Sequence, residues 1–242
     1  MSGHSKWAKV KYQKAVKDPK RGKAFSKLAA LITVAAREGG DINSNPKLRV
    51  AVNKAKEIGM PKDNIEKAIK RGSGESGEGK NLEEIICEAY APGGSALLIQ
   101  AITDNKNRTL AELRHLLQKN QAKMAEVGSV SWLFKEVGEV SIPKKFWNDE
   151  MSLKAIENGA EEIKEEDDQI VIYTTPQNLS QMENFLLEFI SGDLIKTNLD
   201  FISQQPVVIS DKETKSKLEN LFNELDEHND VEEIYSNIQI IQ

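Results

Sequence analysis

The residues whose types and spacing could do chemistry gather between Gly3 and Lys27. The chain there reads GHSKWAKVKYQKAVKDPKRGKAFSK, nine Lys/Arg against the single acid Asp18, with Trp7, Tyr12 and Phe25 set among the charges. Ammonium and guanidinium groups at this density answer phosphates, and rings among them can stack on bases, so the stretch has the means to hold a nucleic acid. The expected phosphate contacts are Lys6, Lys9, Lys11, Lys14, Lys20, Arg21, Lys23 and Lys27, and the stacking contacts are Trp7 and Tyr12. Pro19 is expected to block a continuous helix from this arm, leaving Lys20–Lys23 as a basic turn with Arg21 its main phosphate contact. A solvated arm is the competing reading, but such arms mix signs and have little reason to expose a Trp and a Tyr.

A second candidate anion site is the polar turn Thr103–Thr109, TDNKNRT. Asn107, Arg108 and the amides after them are expected at a helix N-terminus, where an anion is favoured. Plain capping is the alternative, since Asx turns need no ligand. An Arg in a first turn opposes the helix dipole, which points to an external anionic partner.

Nothing else in the chain reads as catalytic. His4, His115, His228 and the lone Cys87 lack metal-ligand spacing, and packing in the core or at its boundary is the expected role of Cys87 and His115. The Gly74–Lys80 run GESGEGK has no strand before it and does not make a phosphate loop. No nucleophile and base stand at a recognisable spacing, so no turnover, metal or cofactor is expected.

Charge divides the chain. Residues 1–72 hold 18 Lys/Arg against 6 Asp/Glu, whereas the remainder of this 242-residue chain of net charge −5 holds 15 against 32. A polyanion responds to the field within about a Debye length, ~8–10 Å, so the basic head would bind while the acidic body repels, favouring one docking orientation. One cysteine excludes an internal disulfide framework, and neither a secretory signal nor an apolar run of membrane-spanning length is present. A soluble, cytoplasmic protein with no membrane partner is expected.

The elements that must position these groups follow from periodicity. AFSKLAALITVAAR at Ala24–Arg37 places Phe25, Leu28, Ile32 and Ala35 on one helical face; Asn45-Pro46 opens a second helix that Gly59 stops, and Pro61 opens a third closed by a left-handed Gly72. Ser73–Lys80 reads as a flexible linker that lets the head orient independently. Strands are expected at 84–91 and 96–103, a helix presenting Leu110, Leu113, Leu116 and Leu117, and a short strand at Val130–Phe134. From Gly138 the order is strand 139–142, helix 149–158, strands 161–165 and 169–174, helix 177–189 and strand 196–202, a ferredoxin-like βαββαβ unit. Strand 207–209, helix 212–227 and strand 231–238 complete the elements at 84–119. The fold class is therefore α+β and multidomain: basic arm and three-helix bundle at 1–76, a split middle α+β domain at 81–136 plus 205–242, and an inserted ferredoxin-like domain at 137–204.

GHSKW at Gly3, KRGKAFSKL at Lys20, NPKLR at Asn45, MPKDNIEKAIKRG at Met60, YAPGG at Tyr90 and TDNKNRT at Thr103 together resemble the YebC/PmpR family. That family carries the name probable transcriptional regulatory protein and includes mitochondrial translational activators. The resemblance implies the same three domains and no enzymatic role. It also implies a glycine-rich loop with a proline after the helix at 110–119, where this chain has Gln121, Ala122, Ala125 and Val127, a stiffer loop. The partners expected are ribosomal RNA or DNA, with the ribosome or the transcription machinery around them. Residue chemistry leans to ribosomal RNA, because the cations are mostly Lys and the aromatics sit on the arm. DNA-directed regulation stands beside it, and an adaptor whose head binds an acidic protein is a further alternative. Phosphate contacts carry no sequence information and do not choose among targets.

Overall fold

The computed structural model describes residues 18–75 and 82–240. It divides into two compact units, Glu136–Phe201 and the chain on either side of it.

The first unit opens with three helices, α1 (Asp18–Ala35), α2 (Pro46–Glu57) and α3 (Lys62–Gly72). α1 begins before the expected turn: Lys20–Lys23 already lie in the helix, because a proline in the first turn lacks only an N–H that would go unbonded there. Leu28, Ile32, Ala35, Leu48, Val52, Ala55, Ile65 and Ala68 form a common core. Asn45 joins α1 to α2. Its Oδ1 accepts from Leu48 N at 3.0 Å while its Nδ2 donates to the Ala35 and Gly39 carbonyls, both at 2.8 Å. Gly72 does not take the expected left-handed conformation, which belongs to Gly74 at φ 84°. Gly72 instead allows α3 to approach α1: a Cβ there would meet the Thr33 carbonyl oxygen at 2.2 Å.

The same unit continues into β1 (Glu83–Ala91), β2 (Ser95–Thr103), α4 (Lys106–Lys119) and β3 (Lys123–Met124). β1 and β2 are joined by a tight turn at Pro92–Gly94. Val130–Phe134 is not a strand; Ser131–Leu133 make a 3-10 turn, and Phe134 opens β4 (Phe134–Pro143).

In the second unit come α5 (Asp149–Glu157), β5 (Ala160–Glu166), β6 (Gln169–Thr174), α6 (Leu179–Leu187) and β7 (Lys196–Ser203), β4 and β7 running across its boundaries. The sheet order is β5-β6-β4-β7. Val140 pairs with Ile172 and Ile142 with Ile170, all four buried, so the register sets one apolar face.

The chain then re-enters the first unit with β8 (Val207–Ile209), α7 (Lys212–Glu227), β9 (Val231–Ser236) and β10 (Ile238–Ile240). β9 completes a four-stranded sheet of order β3-β1-β2-β9, and β8 pairs in parallel with β10. The expected strand 231–238 is thus broken at Asn237. This residue serves both sheets, its Oδ1 accepting from Ala96 N at 2.8 Å and its carbonyl from Val207 N at 2.7 Å. One core holds Ile85, Cys87, Leu97 and Ile99 of the sheet with Leu113 and Leu117 of α4 and Leu221, Phe222 and Leu225 of α7.

The helical head does not orient independently. Lys54 of α2 pairs with Glu233 of β9 at 3.3 Å, both side chains largely covered, and two lysines of α1 reach the end of α7. Residues 76–80 of the expected linker lie outside the described residues.

Candidate nucleic-acid interface

Lys6, Trp7, Lys9, Lys11, Tyr12 and Lys14 lie outside the described residues. Lys20 and Arg21 stand on the first turn of α1. The remaining two arm candidates face inward. Lys27 is 9 % exposed, and its ammonium donates to the Asp226 carbonyl at 3.1 Å and to the Val231 carbonyl. Lys23, one turn earlier, donates to the Glu227 carbonyl. The last carbonyls of a helix have no partner within it and carry the negative end of its dipole, so two ammonium groups from α1 cap α7. Lys27 is therefore corrected from a phosphate contact to a structural cation, since its ammonium is buried and already donates to two carbonyls.

The bundle's outward cations sort by the same accounting. Lys47 pairs with Glu38 at 2.9 Å, Lys54 with Glu233, and Lys62 more loosely with Glu66 at 3.5 Å. Lys56, Lys67, Lys70 and Arg71 are exposed, and among the described residues no ion pair engages Lys67, Lys70 or Arg71. Asn64, Lys67 and Arg71 are spaced i, i+3, i+7 along one side of α3, with Lys67 turned away from the buried Ile65 and Ala68 and the other two flanking that buried face. Sequence reasoning passed over Arg71 and weighed Lys67 and Lys70 only as part of a general surface. The signal was present in the amphipathic period of KDNIEKAIKRG, whose cations fall on the side away from the apolar residues.

At the second candidate site the helix amides and the guanidinium both have partners within the chain. Asn105 caps α4, its Oδ1 accepting from Arg108 N at 3.1 Å, so the first amides of the helix are served from within the chain. The Arg108 guanidinium lies 3.0 Å from Asp104 and 3.2 Å from Asp230. Its anionic partners are internal, which resolves the unfavourable position against the dipole. Asn107 is exposed beside it. Burial would raise the Asp230 carboxyl, but bonds from Thr109 and Arg108 outweigh it and hold the group below the ordinary aspartate range.

His228 comes together with Glu112 and Asp230, each offering one donor atom within 4.8 Å of the others. Its Nδ1 accepts from the Asp230 amide at 3.2 Å, which leaves the proton on Nε2, 3.0 Å from Glu112. A ring in that tautomer has no lone pair at Nε2 for a metal. Cys87 is buried as expected, and burial pushes its thiol up; His115 is exposed, contrary to the expected packing.

A buried carboxylate organises the loop after β3. Glu88, on β1, accepts from the amides of Gly128 and Val130, both at 2.6 Å, and of Ser131 at 2.9 Å. Burial alone would raise its carboxyl, yet these amides hold it below the ordinary glutamate range. Gly128 at φ 87° lets successive amides converge on one anion.

Residues 5–75 match the domain family described as TACO1/YebC protein N-terminal domain, and residues 82–238 that described as TACO1/YebC second and third domain. The chain belongs to the TACO1/YebC family. Similar relatives named probable transcriptional regulatory protein include one from Halothermothrix orenii, 46% identical over 99% of this chain and 96% of its own length. Another, from Petrotoga mobilis, is 49% identical over 99% and 95%. The fold is similar to the crystal structure of a conserved hypothetical protein from Aquifex aeolicus, with TM-score 0.82 and 40% identity over 98% of each chain. No helix among the described residues is long and apolar enough to cross a membrane.

Proposed function

We propose that this YebC-family chain is a non-enzymatic, cytoplasmic regulator of gene expression that acts by binding nucleic acid. The outward stripe of α3, with Lys67, Lys70 and Arg71 free of internal carboxylates, carries the reading. In this reading the arm residues Lys6, Trp7, Lys9, Lys11, Tyr12, Lys14, Lys20 and Arg21 contact the same nucleic acid, and the relatives' name supports the regulatory role. The domain reading follows the sequence: a three-helix head, a split middle domain and an inserted ferredoxin-like domain, the last supported by the strand order β5-β6-β4-β7.

Ribosomal RNA is the preferred target, because five of the six exposed cations on α2 and α3 are lysines suited to phosphate and the aromatics belong to the arm. One observation favours duplex DNA as a second reading. α2 and α3 are joined by the short turn Ile58–Pro61, and α3 aligns Asn64 with Arg71, residue types suited to base edges.

The double substitution Lys67→Ala with Arg71→Ala, in the full chain, tests the reading. Co-sedimentation with ribosomes at moderate salt should fall, and the salt slope of binding should flatten by about 0.7–0.9 per contact removed. Unchanged binding and slope would sink the assignment to α3. A sequence-specific duplex footprint that resists competitor, with no protein in ribosomal fractions, would move the target to DNA.

A further inference from the structure

The face of β1 turned away from the core carries Ile86, Glu88 and Tyr90, successive positions on one side of a strand. Glu88 is buried beneath the loop it clamps, while Ile86 and Tyr90 remain 46% and 49% exposed. Beside them the loop exposes Val127 at 94% and Trp132 at 59%. Large side chains of this kind are mostly covered, and several exposed together mark a contact surface.

The aromatic pair is held in place. Ser131, whose amide binds the Glu88 carboxylate, immediately precedes Trp132, and Tyr90 is the next outward residue after Glu88 on the strand. The indole Nε1 donates to the Ser129 carbonyl at 3.0 Å. Trp132 thus needs no acceptor from outside and offers only its ring. β3 pairs Lys123 directly with Tyr90, which puts an ammonium on the same face within about 5 Å, Cβ to Cβ. Around the same sheet edge the Arg114 guanidinium rests on the Met124 sulfur at 3.8 Å. The clamp consumes the Glu88 charge, leaving Glu126 as the loop's exposed acid against Lys123, while Arg114 lies with Met124 on the core side of the strand.

We propose that Trp132 and Tyr90, with Lys123, form a stacking site for unpaired nucleic-acid bases, separate from α3 and the arm. It rests on the reading that this chain binds nucleic acid and adds a contact on the body, where the charge balance predicts only repulsion. Aromatic rings stack on any base, and Lys123 takes the adjoining phosphate. The clamp keeps the platform formed before the ligand arrives, which lowers the ordering cost of binding.

Fluorescence anisotropy of the full chain with a single-stranded RNA of about 12 nucleotides, within the site size of single-strand binders, and with a duplex of equal length tests this. Trp132→Ala should weaken single-strand binding about five-fold or more and leave duplex binding unchanged, with Trp132→Phe restoring most of the loss. Tyr90→Ala should act in the same direction. Single-strand binding unaltered in both alanine variants, while the wild type binds, would overturn this site alone. Failure of the wild type to bind either RNA would overturn the nucleic-acid reading with it. A concentration-dependent dimer in sedimentation that Trp132→Ala dissolves would assign the patch to a second copy of the chain.

Discussion

α1 and α3 are both lysine-bearing helices of one core, yet they use positive charge in opposite ways. α1 turns Lys23 and Lys27 onto the carbonyls that end α7 and open β9, whereas α3 holds Lys67, Lys70 and Arg71 out in solvent. A basic stretch becomes an interface only after the chain's own acceptors have taken what they need. Composition counts the cations and is silent about those acceptors, which lie about two hundred residues away in sequence.

The strongest probe of this contrast is Gly72→Ala. A methyl there would lie 2.2 Å from the Thr33 carbonyl and 2.7 Å from the Ala36 Cβ, and α1 and α3 would have to separate. Urea denaturation should show a loss of about 3 kcal/mol or more, since backbone cannot move aside as a flexible side chain does. A loss below about 1 kcal/mol would mean that the two helices are not held at this spacing.

Lys27→Met is the next test, and it separates the two roles. The carbonyls of Asp226 and Val231 would lose their charged donor at similar side-chain volume, and stability should fall by about 1.5–3 kcal/mol. Nucleic-acid affinity of the folded protein should not change. Weakened affinity with full stability would place Lys27 on the binding surface and erase the contrast with α3.

The smallest effect expected is local and pH-dependent, and it extends the same accounting to an anion. The folded-state carboxyl of Glu88 is held below its ordinary value, so its contribution is complete above the unfolded-state pKa and is lost as pH falls through the folded one. Hydrogen exchange at the Gly128, Val130 and Ser131 amides should be slow at neutral pH. It should accelerate beyond its intrinsic pH dependence once the solution is more acidic than the ordinary glutamate range. Protection that persists there would show that the loop stands without the clamp.

Much of this fold was legible in the sequence. Gln169–Thr174 and Lys212–Glu227 fall where the sequence predicts them: the first is bounded by the Asp167-Asp168 turn, with Asp167 at φ 49°, and the second by the Asp211 cap bonded to Thr214 N at 2.7 Å. Such signals are local. The errors came where distant residues decide. Arg108 looked available because Asp230 lies far along the chain, and strand 231–238 looked continuous because the break at Asn237 is set by Ala96 and Val207. The attachment of the loop to β1 was likewise hidden, since the Gly128, Val130 and Ser131 amides bind a Glu88 carboxylate far from them in sequence. One departure was visible and left without a conformation: Gln121, where the family resemblance implies glycine, holds φ 58°. There the Gln121 and Ala122 amides bond back to the Gln118 and Leu117 carbonyls at 3.1 and 2.8 Å.

The split of the first core between the residues before β4 and those after β7 imposes an order in time. β1 and β2 are made early, but their neighbour β9 and the α7 leucines that cover them follow only after the whole 136–201 unit has been synthesised. At about 5–20 residues per second, more than a hundred residues separate Leu97 from Leu221 by several seconds. During that interval β2 presents an unpaired edge and Lys27 lacks the carbonyls of Asp226 and Val231. A growing chain therefore passes through a stage in which the inserted unit can be complete while the head still carries an unclaimed cation that the finished protein buries.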